Sequence, residues 1–411
     1  DMMGAVKTVH PVNGHVHLHL SDAPMYVVGT VAGMARDDRF PARVPERSAI
    51  GDPLTVEFSL PRGARAMSVR AGGQTVPEGA RVVLPAAETE GERWIPLEVR
   101  AGERLVCTGT VKTYVEQPVS IDRFPRLTKL DTLEIRVLNH SATREARVET
   151  VRCTIGDAQQ ERHVGKMVPA GGEMAVELAV CNLRPFTIYP VKTEAILADG
   201  QTLRCEGTTS FNPVARRTIC VDGDLGDWDG IEGIDLSAAP FLRLMADHTG
   251  EADLSGDVRL AWDAENLYLA ARIRDDVFCQ PFTSFNVWMG DSIELGFSPD
   301  PPWVEGEWEQ PTSQHLSLAL TSKGPQCYRL GGVGTDGLVE DVRLVVRREG
   351  DVTCYECALP WRELDASAPR KGRFSLGLYV NDNDGSCRKG FKQWGDVHGL
   401  NKFQPLHLLQ A

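Results

Sequence analysis

The chain has 411 residues, 42% hydrophobic and 25% charged, a globular composition on a chain too long for one ordinary core. Its net charge of −13 is local: from Ile219 onward 31 Asp/Glu face 17 Lys/Arg, while the first 218 residues are close to neutral. That balance argues against nucleic acid, whose phosphates need clustered Lys and Arg; no apolar run approaches the roughly 18 residues of a membrane span, and Asp1 to Val6 lacks the basic flank and apolar stretch of a secretory signal.

Short alternating runs such as Leu54–Leu60, Leu133–Leu138 and Leu316–Leu320 recur roughly every 8–12 residues between Gly, Pro, Asp and Asn, the pattern of β-sandwiches. Residues 1–30 hold one or two strands. His15, His17 and His19 project from one strand face there; with no third ligand identifiable, a solvated face is preferred over a zinc site. The ending Ser21-Asp-Ala-Pro-Met-Tyr-Val-Val-Gly29 resembles the closing strands of the β-sandwich that trails many glycoside hydrolase barrels, which implies a catalytic domain upstream of Asp1. Residues 31–117 and 118–217 each read as an immunoglobulin-like sandwich, and both lack a cluster of chemically competent side chains, so they are expected to be spacers. Near Val214–Arg217 charge and tryptophan content change together: Trp94 stands alone before that point, and the other seven of the eight tryptophans follow it.

Of the ten cysteines, Cys354 and Cys357 form a C-x-x-C on a strand, where positions i and i+3 face opposite sides. That geometry argues against a zinc or redox site. The cysteines read mostly as small buried hydrophobes, with their pairing left open.

The last segment, 218–411, carries five ordered motifs. They are Ile219-Cys-Val-Asp-Gly-Asp-Leu-Gly-Asp-Trp228, the hairpin Val258–Asp276 turning at Asp263–Asn266, Val287-Trp-Met-Gly-Asp-Ser-Ile-Glu-Leu295, Tyr355-Glu-Cys-Ala-Leu-Pro-Trp361, and Phe374–Gly385 followed by Arg388 and Trp394. In this order they resemble the family-nine carbohydrate-binding modules and their DOMON-like relatives. The fold expected is therefore all-β: tandem immunoglobulin-like β-sandwiches followed by a larger DOMON-like β-sandwich. The resemblance implies that two tryptophans, Trp288 and Trp394, clamp a sugar ring. Glu294, Asn381 and Arg388 would hold its hydroxyls, with Asp291 and Asn383 as further candidates. The chemistry is consistent, because a pyranose has an apolar C–H face that stacks on indole and hydroxyls that need oriented donors and acceptors. Trp288 reads equally as core or site, Trp394 as the better site candidate, and Trp228, Trp262 and Trp361 as core. Trp303 and Trp308 lie in an acidic insertion that departs from the shorter family pattern.

Asp222, Asp224, Asp227 and Asp229 crowd one turn, and Asp382 and Asp384 flank Asn383. Carboxylates at this density suit Ca²⁺, although Gly226 breaks an EF-hand spacing; the resemblance implies a structural calcium, with Asp222, Asp224, Asp382 and Asp384 as candidate ligands. No organic cofactor is expected. Haem, which some DOMON-like domains bind, would need axial ligands such as His248 or Met289, and the motifs favour sugar. No phosphate loop, nucleophile elbow or metalloprotease helix is present in the sequence. The expected function is non-catalytic binding of a polysaccharide or oligosaccharide, as the secreted or cell-surface accessory region of a glycoside hydrolase. The alternatives are a hydrolase fragment that contributes to its own active site, and an adhesive stalk.

Overall fold

The computed structural model describes residues 42–58, 67–77, 81–156, 158–303, 313–398 and 402–410. The closing-strand motif at 21–29, the three histidines at 15–19 and Trp308 lie outside them. The described chain is built almost entirely of strands, as its alternation requires, and it divides between Gln117 and Pro118 into two compact units.

In the first unit a three-stranded sheet (Ala42–Arg43, Leu54–Phe58, Arg81–Leu84) and a five-stranded one (Arg47–Ala49, Arg104–Glu116, Gly91–Ala101, Met67–Ala71, Gln74–Pro77) enclose Leu54, Val56, Val69, Val82, Leu84 and Leu97. Every second residue of Leu54–Phe58 is buried, the period-two signature of a strand with one wet face.

The second unit opens with a sandwich of two four-stranded sheets. One contains Thr132–Asn139 paired with Val119–Ile121, Arg126–Lys129 and Glu173–Ala179; the other orders Ala158–Val168, Ala146–Ile155, Tyr189–Leu197 and Thr202–Thr209. Leu133, Ile135, Val137, Val148, Val151 and Val191 fill its interior.

The remaining strands form a second, larger sandwich. One face is Leu254–Trp262, Asn266–Asp275, Val352–Pro360 and Arg343–Glu349; the other runs Gly324–Gly332, Gln314–Thr321, Ser292–Ser298, Arg373–Asp382, Gln404–Leu408. The short strand Pro213–Arg216 pairs in parallel with both Leu254–Trp262 and Gln404–Leu408 and joins the faces. The larger sandwich therefore begins a few residues before 218. Between its faces Leu260, Leu267, Leu269 and Ile273 meet Ile293, Leu295, Leu316 and Leu378, the buried positions that alternation in the hairpin predicts. The hairpin turn is closed by Asp263, whose Oδ1 accepts the Glu265 and Asn266 amides at 2.9 Å each.

Trp228, Trp262 and Trp361 are buried, and their indole N–H groups donate to Glu356 Oε1, Leu409 O and Asp263 O at 3.0, 3.2 and 2.9 Å. Each buried indole thus has the partner its burial demands. The nine described cysteines are free thiols. Cys357 is buried while Cys354 is half-buried, consistent with opposite sides of one strand. Among the described residues no helix is long and apolar enough to cross a membrane.

Candidate functional site

The strand Ser292–Ser298 is buried at all seven positions. Ile293, Leu295 and Phe297 go into the core, so Ser292, Glu294, Gly296 and Ser298 must face the other way. Pairing puts Glu294 opposite Ser317 on one side and opposite Tyr379 on the other. The diagonal neighbours, two residues along each partner strand, are His315 and Asn381, within reach of long side chains. His315 Nε2 lies 2.8 Å from Glu294 Oε2, and Asn381 Nδ2 donates to Glu294 Oε1 at 2.8 Å. Arg388 enters from the loop after the strand Arg373–Asp382; its Nη1 donates to Glu294 Oε1 and to Asn381 Oδ1, both at 2.9 Å.

Glu294 is 2% exposed. Burial alone pushes its carboxyl up, but the hydrogen bond and charge of His315, with Arg388 and Asn381, hold it below the usual carboxylate range. Burial pulls the Arg388 guanidinium down, against Glu294, which holds it up. The same network fixes that guanidinium 4.7 Å from the ring centre of Trp288 and 4.9 Å from that of Phe391, a cation–π geometry.

Trp288 is half-buried on the 3₁₀ turn Ser284–Met289. Gln280 braces this turn from behind: its Nε2 donates to Val287 O at 2.8 Å and to Asp291 O at 2.9 Å. Asp291 ties the turn to the next strand, because its carboxylate accepts the Cys279 amide and, at 2.8 Å, the Asn383 amide. Asn383 Nδ2 in turn donates to Met289 O at 3.2 Å. Asp291 and Asn383 are both buried, so they position Trp288 rather than lining a cavity.

Trp288, Phe285, Glu294, Gln314, His315 and Arg388 border a cavity of ≈ 700 Å³, with His398 at its edge. That volume suits a small ligand. Phe285 is 54% exposed. Arg388 Nε and Ser313 Oγ are buried without a hydrogen-bond partner, and both residues line the cavity. His398 comes over the sheet because Gly296 and Gly377 leave room: a Cβ on Gly296 would lie 2.7 Å from Phe403 Cζ, and one on Gly377 2.3 Å from Asp396 O. Burial, reinforced by His315, pulls the His398 imidazole down toward its neutral form.

Trp394, expected as the second clamp, is elsewhere. It is 4% exposed, packs on Phe186 with ring centres 6.4 Å apart, and donates its indole N–H to Phe186 O at 2.9 Å. Trp394 pairs with Leu378, so the inward face of its strand carries it into the core and against the preceding sandwich. The exposed aromatic beside Trp288 is Phe285. Gln280, Phe285, His315 and His398 carry no spacing signal that sequence reasoning could have used.

The expected metal ligands separate. Asp275, Asp382 and Asp384 form one group of carboxylates, and Asp253, Asp276 and Asp384 an overlapping one. Asp382 is fully buried, neither of its oxygens has a hydrogen-bond partner, and burial pushes it up to about 7. Burial also raises Asp275 and, together with Asp275, Asp291. Lys389 Nζ reaches into this group, paired with Asp253 and lying 2.9 Å from Asp384 and 3.3 Å from Asp382. Asp222 and Asp224 are in neither group: Asp222 Oδ1 accepts the Asp224 amide at 2.8 Å and Asp224 Oδ1 the Gly226 amide at 3.1 Å. Their oxygens close the opening turn, which Glu356 anchors by accepting the Asp222 and Gly223 amides at 2.9 and 2.7 Å.

Residues 228–405 match the model of the family described as Carbohydrate family 9 binding domain-like. Over 181 residues, 44% of this chain, the sequence is 25% identical to endo-1,4-beta-xylanase A of Thermotoga neapolitana, and it spans 15% of that relative's length. A family 9 carbohydrate-binding module from Caldicellulosiruptor kristjanssonii, solved with glucose, is 16% identical and aligns over 48% of this chain and 95% of its own, with a TM-score of 0.38. The same source's module with cellotriose is 17% identical over 48% and 93%, with a TM-score of 0.37.

Proposed function

We propose, on the premise that residues 228–405 work as the family they match, that this region binds the end or a short stretch of a glycan chain in the Trp288 cavity. In this reading it serves a secreted glycoside hydrolase as a non-catalytic accessory. The observation that carries the reading is the junction of a half-exposed indole with a fixed polar cluster: Arg388 spans Trp288, Glu294 and Asn381. A sugar needs an aromatic wall for its C–H face and pre-oriented charges for its hydroxyls, and Arg388 Nε is a donor with no partner in the protein. The xylanase relative supports a plant cell-wall glycan as the first to try. Calorimetric titration of the full chain with gluco- and xylo-oligosaccharides tests it. Saturable binding that Trp288→Ala weakens by about tenfold or more is expected; binding untouched by that change, or turnover of the glycan, would refute the reading.

The second element of the proposal is a structural Ca²⁺ held by Asp275, Asp382 and Asp384. All-carboxylate donors suit a hard cation; Asp382 Oδ1 has no hydrogen-bond partner among the described residues, and Lys389 meets Oδ2 only, at 3.3 Å. The cation would offset repulsion between buried carboxylates and brace the loop that carries Asn383. Chelation is expected to lower the melting temperature by a few degrees, with Ca²⁺ restoring it. Identical melts in chelator and in Ca²⁺ count against the ion.

A further inference from the structure

A second cavity, of ≈ 630 Å³, opens between the 118–217 sandwich and the C-terminal one; it shares Phe403 with the Trp288 cavity, and its other lining residues are its own. The two sandwiches are joined there by built contacts. Ser210 Oγ donates to Gln404 Oε1 at 2.8 Å, Asn212 Nδ2 donates to Pro405 O at 2.6 Å, and Phe211 stacks on His407 with ring centres 5.0 Å apart. The cleft is therefore a fixed feature of this unit. Its wall holds Trp303, half-buried, with the Arg126 guanidinium 4.5 Å and the Arg373 guanidinium 5.8 Å from its ring centre.

Two properties separate this cleft from an ordinary seam. The first is its charge. Arg126, Arg136, Arg373 and Lys402 border it against Glu134 and Asp396, in a molecule of net charge −13. Arg126 is paired with Asp122 at 2.9 Å, Arg136 with Glu134 and Glu173, and Lys402 with Asp396. Arg373 is exposed and has no carboxylate partner among the described residues. The second is unmet hydrogen bonding. Arg126 Nε, Gln393 Oε1 and His407 Nδ1 are buried without partners, and all three residues line this cleft. Buried polar atoms left unpaired within a protein are uncommon, and three beside one cavity point to groups supplied from outside, directly or through water.

We infer that this cleft is a second saccharide site and that its ligand is a carboxylated sugar, a uronosyl unit on a glycan. Arg373, with Arg126 behind it, meets the carboxylate. The Trp303 and Pro302 surface meets the ring's C–H face. Hydroxyls and bridging waters satisfy Gln393 and His407. A guanidinium suits this task because its planar donors match a carboxylate in a bidentate way. Two sites of different charge would let one chain hold a backbone sugar and an acidic substituent together, and linked binding of that kind multiplies affinity.

The test titrates the full chain carrying Trp288→Ala, which removes the aromatic wall of the first site, with a xylo-oligosaccharide bearing one uronosyl substituent. The parallel titrations use the same oligosaccharide without the substituent, and sodium sulfate. The acidic sugar is expected to bind about tenfold or more tighter than its neutral parent, and Arg373→Gln, at an exposed position, to remove about tenfold of that affinity. The His407 ring resonances should shift on addition of the acidic sugar only. The inference is overturned if acidic and neutral sugars bind alike, if Arg373→Gln leaves the difference intact, if sulfate competes as well as the sugar does, or if Trp288→Ala abolishes binding of the acidic sugar. In that last case the ligand sits in the first cavity. Loss of neutral-sugar binding alone is the result expected of Trp288→Ala at the first site and leaves the second standing.

Discussion

Trp288 and Trp394 are the same residue type placed in opposite chemical settings. Trp288 stands half-buried with a guanidinium on its face, whereas Trp394 is enclosed and its N–H is already satisfied by Phe186 O. Trp394→Ala is accordingly expected to cost roughly 3–5 kcal/mol of stability by leaving a large cavity, read by urea unfolding, with saccharide affinity much less affected than by Trp288→Ala. A second residue-scale expectation concerns Glu294. Its folded-state pKa is depressed, so the stability it contributes is present above the unfolded value near 4.3 and is lost only as pH falls through the lower, folded one. Saccharide affinity should therefore stay level as pH is lowered from neutrality to about 5 and collapse only below the ordinary carboxylate range; calorimetry across pH checks this, and a decline that begins near neutrality would contradict it.

At the scale of elements, the strand Ser292–Ser298 works on two sides. Its apolar residues hold the core, and its polar ones hold the site, covered by the segment that carries His398. Gly296 is what allows the cover to sit so close, since a Cβ there would lie 3.0 Å from Val397 Cα and closer still to Phe403. Gly296→Ala should displace that segment and weaken binding severalfold while the far face of the sandwich keeps its packing, a difference that amide hydrogen exchange would resolve. The alternation Ile293, Leu295, Phe297 was legible, because period two is a local property of a strand. Gln280 and His315 were not. Gln280 acts through a loop contact, and His315 reaches Glu294 only through the register of a strand pair, neither of which leaves a trace in spacing.

At the scale of the molecule, the division falls between Gln117 and Pro118, and the second unit contains both sandwiches that frame the two cavities. A chain beginning at Pro118 should bind saccharide with the affinity of the full chain; a tenfold loss would mean that the first unit takes part in binding. The aspartates of the opening turn show the limit of reading carboxylates by density. Asp222 and Asp224 close backbone turns, while Asp382 gathers with Asp275 from a distant strand.

The sequence by itself determined the all-β class, the hydrophobic faces of the hairpin Val258–Asp276 and the family likeness of the last segment, because periodicity and ordered motifs are local and survive without tertiary knowledge. Through that likeness it also named Trp288 and Trp394 with Glu294, Asn381 and Arg388, and Asp291 and Asn383 after them; of these the structure brings Trp288, Glu294, Asn381 and Arg388 into direct contact. Only the tertiary structure decided that Trp394 faces inward, that Asp291 and Asn383 brace rather than line, which carboxylates cluster, and that a basic cleft forms beside Trp303. The physical reason is common to all four. Strand register, loop closure and the seating of one sandwich on the next decide which side of a side chain meets water, and those are relations between residues far apart in the chain.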